Sequence, residues 1–176
     1  ASQVPILGIC LGHQLMAHWL GGKVERRKWE IGWLPVSMTA AGRADPLLDE
    51  LDDPFYAFLW HGDQVTELPA GAELLASSEI CPVQAYRLTE SPVWGVQFNP
   101  QYDPVIAEGV TRHAQWIERL GYNRDEIVTT GYREYDDVAG KIFGSFFRFV
   151  QQGPAIGPAT GSVATPTLPA GSVESR

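Results

Sequence analysis

The sequence predicts an α/β domain over residues 1–152 followed by a tail over 153–176. Three observations carry this. A short apolar run ends in Gly-x-Cys-x-Gly and passes straight into a helix-like pattern. Several strand-length apolar runs follow, broken by Gly, Pro and Asp. Two later stretches then carry apolar residues at helical spacing. A chain of 176 residues with 44% hydrophobic content can build one domain with a proper core.

In order along the chain, Val4–Ile9 reads as a buried strand. Leu11, Leu15, Trp19 and Leu20 recur at helical spacing, and Gly21-Gly22 stops that helix. Ile31–Thr39 is a strand, and Asp45 before Pro46-Leu47-Leu48 caps a short helix with Pro at its first position. Phe55–Trp60, Glu73–Ser77, Val83–Leu88 and Val93–Phe98 are four further strands, spaced closely enough to favour hairpins over pure βαβ repeats. Pro104–Leu120 reads as a helix with Val105, Ile106, Val110, Ala114, Ile117 and Leu120 along one side. A last helix carries a core-facing stripe of Val138, Ile142, Phe146, Phe149 and Val150. Beyond Gln152 the Gly/Pro/Ala/Thr-rich composition cannot bury a core and is expected to be a disordered tail.

Charge and composition exclude several classes. A net charge of −8 argues against nucleic acid, which needs a basic patch. No run of 18 or more apolar residues is present, so no membrane span is expected. Two cysteines, Cys10 and Cys81, make no disulfide framework and fit a reducing cytoplasm. No His, Cys or carboxylate pair shows metal-ligand spacing, so neither a metal nor a cofactor is expected. His18 and His113 read as surface or boundary residues of helices, and Asp52-Asp53 and Asp136-Asp137 as solvated turns.

The chemistry-bearing segment is Gly8-Ile9-Cys10-Leu11-Gly12-His13-Gln14. Its pattern is the cysteine form of a nucleophile elbow, a sharp strand-to-helix turn that lifts one side chain above the sheet edge. Cys10 would sit at a helix N-terminus, where the dipole and free N–H groups favour a thiolate. Gly8 and Gly12 are expected to flank the turn because a Cβ at either place would crowd it. With Trp60-His61-Gly62-Asp63 and Trp94-Gly95-Val96-Gln97-Phe98-Asn99-Pro100-Gln101, this segment resembles the class I glutamine amidotransferases, most closely the small GMP-synthase-like members. The resemblance runs from Val4 to Phe98 and, more loosely, to about Gln151.

The resemblance implies a three-layer, open, mostly parallel sheet flanked by helices, of flavodoxin-like type. It implies Cys10 as nucleophile, the Leu11 N–H in the oxyanion hole, and Gly12, Gln14 and His61 at the substrate glutamine. His13 belongs to the family's elbow beside a separate base and is expected to pack or hydrogen-bond. His61 is read at a strand end followed by a Gly turn. The sequence departs from the family where protons are handled: the base His and its orienting Glu are replaced by Asn99 and Gln101. Losing a triad base costs about 10⁴ to 10⁶ in rate.

In the family a considerable stretch precedes the elbow strand. A βαβ unit takes roughly 30 residues or more, whereas nine precede Cys10 here. The domain is therefore expected to lack its first strands and helices, as one part of a longer polypeptide or completed by a partner chain. The start at Ala-Ser-Gln, without Met, points the same way. An exposed edge at Val4–Ile9 would then invite a homodimer. Two readings of function stand side by side. One is an enzyme that hydrolyses glutamine through Cys10 and delivers ammonia to a synthetase domain or subunit, impaired by Asn99 and Gln101. The other is a non-catalytic relative that binds a glutamine-like ligand or a partner.

Overall fold

The computed structural model describes residues 4–152; the expected tail lies outside the described residues. The elements run β1 (Ile6–Ile9), α1 (Leu11–Trp19), β2 (Lys23–Met38), α2 (Ala40–Arg43), β3 (Phe55–Glu67), β4 (Ala72–Ser77), β5 (Ala85–Leu88), β6 (Val93–Val96) and α3 (Pro104–His113). A 3₁₀ helix (Gln115–Leu120), α4 (Arg124–Glu134) and α5 (Val138–Gln152) complete it.

The strands form one sheet in the order β1-β6-β5-β4-β2-β3. The α/β class and the helix-flanked sheet are as expected. The pairing, however, is parallel only between β1 and β6; β6–β5, β5–β4, β4–β2 and β2–β3 are antiparallel, which is the hairpin arrangement that the close spacing favours. The parallel pair sets up the site. Its register matches Ile6 with Val93 and Ile9 with Val96, so both strands end level and the next residues, Cys10 and Gln97, emerge side by side. Ligand sites of α/β sheets form beyond such carboxyl ends.

Three apolar clusters hold the layers. Val36, Leu59, Leu75, Trp94, Phe98 and Ile142 join the sheet to α5. Ile31, Trp33, Phe58, Ala107, Ile117 and Ile127 join the β2–β3 ribbon to α3 and α4. Ala17 of α1 packs with Val65, Val83 and Tyr86. The α5 stripe is as expected, with Val138 and Ile142 buried and Phe146 and Phe149 packed on the first cluster, while Val150 points outward.

Elsewhere the elements differ from the sequence reading. β2 starts at Lys23 and β3 ends at Glu67, each beyond its expected strand, because the two pair as a long antiparallel ribbon laced by Lys23–Glu67 and Arg26–Asp63 ion pairs. His61 and Gly62 therefore lie within a strand and not at its end. Asp45 caps no helix: its buried carboxylate accepts from the Leu47 N–H (2.9 Å) and the Trp94 indole (3.0 Å) and pairs with Arg87. The short helix is α2, capped by Thr39 Oγ1, which accepts from the Gly42 N–H. The expected helix 104–120 breaks at Ala114 (ψ 60°). Ala107 and Thr111, not Val105 and Ile106, face inward, because the core contact lies on the other side of α3. Helix α4 is an addition to the expected elements, and Asn123 caps it through the Asp125 and Glu126 N–H groups.

Candidate active site

Cys10 stands between β1 and α1 with φ 48° and ψ −102°. A positive φ at a non-glycine residue immediately before a helix is the backbone signature of a nucleophile elbow. Hydrogen bonds fix the turn on both sides: Cys10 N–H donates to the Val96 carbonyl (2.8 Å), and Gln14 N–H donates to the Cys10 carbonyl (3.1 Å). A Cβ at Gly8 would lie 2.2 Å from the Met16 methyl and 2.9 Å from the Gly12 backbone, so Gly8 is required as expected. Gly12 is different. A Cβ there would meet nothing within 4 Å, so relief of crowding does not account for it.

The thiol is half-buried, and its surroundings pull in opposite directions. Burial pushes the Cys10 pKa up; the Leu11 N–H and the carboxamides of Asn99 and Gln97 pull against that rise without cancelling it. Gln97 Nε2 donates to Cys10 Sγ at 3.7 Å. Asn99 is buried, anchored by its N–H to the Phe58 carbonyl (2.9 Å), and its Oδ1 accepts from Gln101 Nε2 (3.3 Å). Its Nδ2, although near enough to influence the thiol, has no hydrogen-bond partner among the described residues. Asn99 and Gln101 thus form a hydrogen-bonded couple close to the thiol, with neither member able to titrate.

The remaining candidates separate into two groups. Gln14 is buried, and its Nε2 donates to the Asp63 carbonyl (2.7 Å) and to Gln97 Oε1 (3.0 Å). Gln97, not singled out in the sequence, is therefore the link from Gln14 to Cys10; its place directly after β6 in register with Cys10 is the signal that could have found it. His13 is fully buried against the Tyr86 ring, 4.9 Å between centroids, and burial holds its imidazole down to about 3. It is a neutral packing residue, as expected. His61 contributes Nδ1 to the Asp63 carbonyl (3.2 Å), and its Nε2 lies 3.2 Å from Glu30 Oε2. Glu30, His61 and Cys81 come together there although their sequence spacing gives no metal-ligand pattern. Cys10 and Cys81 are both free thiols. Among the described residues no helix is long and apolar enough to cross a membrane.

Comparison with known proteins places the chain in a family. The glutamine amidotransferase class I profile matches residues 1–107. The chain is similar to a glutamine-hydrolyzing GMP synthase subunit of Thermococcus kodakarensis, 46% identical over 105 residues, covering 56% of this chain and 51% of that protein. The corresponding subunit of Pyrococcus abyssi is 42% identical over 99 residues, with the same coverage. The chain thus spans about half the length of the curated relatives it matches. Among solved structures, a glutamine amidotransferase from Thermotoga maritima superposes with a TM-score of 0.72 at 28% identity, covering 84% of this chain and 63% of that one. The chain belongs to the class I glutamine amidotransferase family.

Proposed function

We propose that this chain is a glutamine amidotransferase module that recognises glutamine at the Cys10 elbow and turns it over far more slowly than a site with a titrating base. The observation that carries the reading is the thiol on a strand–helix elbow beside the hydrogen-bonded Asn99–Gln101 couple. In the reaction the Cys10 sulfur attacks the side-chain carbonyl carbon of glutamine. Backbone N–H groups, that of Leu11 among them, steady the oxyanion. The C–N bond breaks, ammonia leaves with the proton taken from the thiol, and water cleaves the thioester to give glutamate. Asn99 can donate a hydrogen bond but cannot carry that proton, and Gln101 cannot steady a cation. The raised Cys10 pKa leaves little thiolate at neutral pH.

Gln14, Gly12 and Gln97 are the residues assigned to the substrate side, with His61 held behind them through Asp63. The relatives are named as GMP synthase subunits, which supports delivery of the ammonia to a synthetase partner or domain. The apolar outer margin at β1 supports a homodimer or a partner there.

Asn99→His together with Gln101→Glu should raise ammonia release from glutamine by about 10⁴-fold, each single change should do much less, and Cys10→Ala should remove the gain. A parent chain that already releases ammonia at a rate the double change leaves unimproved would overturn the assignment. A second, non-catalytic reading draws on the unpartnered Asn99 Nδ2, a donor suited to a carboxamide ligand without proton transfer. Calorimetry separates the two: glutamine binding that persists while the double change brings no turnover favours the binding module.

A further inference from the structure

Behind the Asp63 carbonyl three side chains converge from separate parts of the chain: Glu30 on β2, His61 on β3 and Cys81 in the β4–β5 loop. They are 2%, 4% and 0% exposed, and their donor atoms all lie within 4.8 Å of one another. Each is positioned by a further contact, and for Cys81 it is the thiol donating to the Val83 carbonyl (3.5 Å). Glu30 Oε1 accepts from Ser78 Oγ (2.5 Å) and Oε2 from Gln84 Nε2 (2.9 Å). His61 Nδ1 meets the Asp63 carbonyl, which can only accept, so that nitrogen carries the proton. The lone pair of the neutral ring is then on Nε2, facing the Glu30 carboxylate at 3.2 Å. Two acceptors at that separation repel unless something positive lies between them. A bound cation would supply that charge, and Nε2 has no hydrogen-bond partner among the described residues.

We propose that Glu30, His61 and Cys81 bind one zinc ion that ties β2, β3 and the β4–β5 loop together behind the amidotransferase site. A mixed carboxylate, imidazole and thiolate set suits a borderline-soft divalent ion. A backbone carbonyl on the far ring nitrogen and hydrogen bonds to the ligating carboxylate are the usual outer contacts of such a site. A cavity of about 220 Å³ lies next to the site, with Trp29, Glu30, Ser78, Ile80 and Tyr122 among its lining residues. On binding, the S–H bond of Cys81 breaks, a Zn–S bond forms and the proton leaves to solvent; no electron is transferred. The inference does not depend on glutamine turnover.

Cobalt(II) is the probe, because its thiolate complexes absorb in the near ultraviolet. The chain has two cysteines, so Cys10→Ser leaves Cys81 as the sole thiol. Chelator-treated Cys10→Ser protein should take up one equivalent of cobalt at micromolar concentration with a sulfur-to-cobalt band, and zinc should displace it. Glu30→Gln on that background should weaken binding about 10- to 100-fold. Absence of the band in folded Cys10→Ser protein, or cobalt uptake that Glu30→Gln does not change, would overturn the proposal. Failure of the glutamine assays would leave both results untouched.

Discussion

The β2–β3 ribbon and the β1–α1 margin are both rich in apolar residues, and the fold treats them in opposite ways. On the ribbon the large side chains turn inward: Ile31, Trp33, Phe58 and Leu59 are buried, the first three under α3 and α4. On α1 they turn outward, with Leu11 62%, Leu15 58% and Trp19 72% exposed, while His13, Gln14 and Ala17 face the sheet. β1 is also a sheet edge, with β6 its only neighbour among the described residues. An inverted helix of this kind shows that the inward face of α1 is given over to polar contacts with β3 and with the residue after β6, through Gln14 to Asp63 and Gln97. The ribbon buries its apolar face, and the margin carries the candidate site.

The largest test of that division is Phe58→Ala. Phe58 stacks on Tyr102 (5.0 Å) and Trp60 (5.7 Å) and packs on Trp33. Its truncation should cost about 3–5 kcal/mol in urea unfolding. A loss near 1 kcal/mol would mean that the ribbon is not the stabilising half.

The pH response of His13 is the next. Its folded pKa is lowered from 6.5 to about 3, so between those values the unfolded chain holds a proton that the folded chain refuses. The contribution of the neutral ring is complete above about pH 6.5 and is lost as pH falls toward 3, with a slope near 1.4 kcal/mol per pH unit. The difference in unfolding free energy from urea titrations between the parent and His13→Gln should change by that slope across about pH 7 to 4. Parallel curves would show that the ring is not buried neutral.

The smallest effect belongs to the margin. Leu15→Lys with Trp19→Lys should shift stability by no more than about 0.5 kcal/mol. The pair should also abolish any concentration dependence in sedimentation of the parent. A loss of about 2 kcal/mol or more would show that the outer face of α1 is packed, and the contrast between the two regions would fail.

What can be read from sequence follows the range of the interaction concerned. The elbow is legible because Gly8, Cys10 and the helix after it are neighbours in the chain, and α5 because its stripe is regular. Lys23–Lys28 is not legible as strand. Its charged residues look like a solvated loop until the opposite charges of Asp63 and Glu67 lie across the ribbon. Helix α4 has a weak stripe, and what seats it is Gly131, which lets the helix approach the Trp33 indole, a distant partner. In the candidate site Cys10 stands out by its elbow pattern, and Asn99 and Gln101 only through the family resemblance. Gln97 and Glu30 do not, because their meaning depends on strand register and on a fold that brings residues 30, 61 and 81 together.

The backbone at Cys10 has one more consequence. At φ 48° and ψ −102° a residue with a β-carbon is held at a cost of order 1–3 kcal/mol, a conformation that glycine tolerates far better. Position 10 is thus where two selective demands on one residue diverge. Conformational preference alone would place glycine there, and only a use for sulfur argues for cysteine. Among the described non-glycine residues only Asp137 shares such a positive φ, and it carries no comparable candidate role.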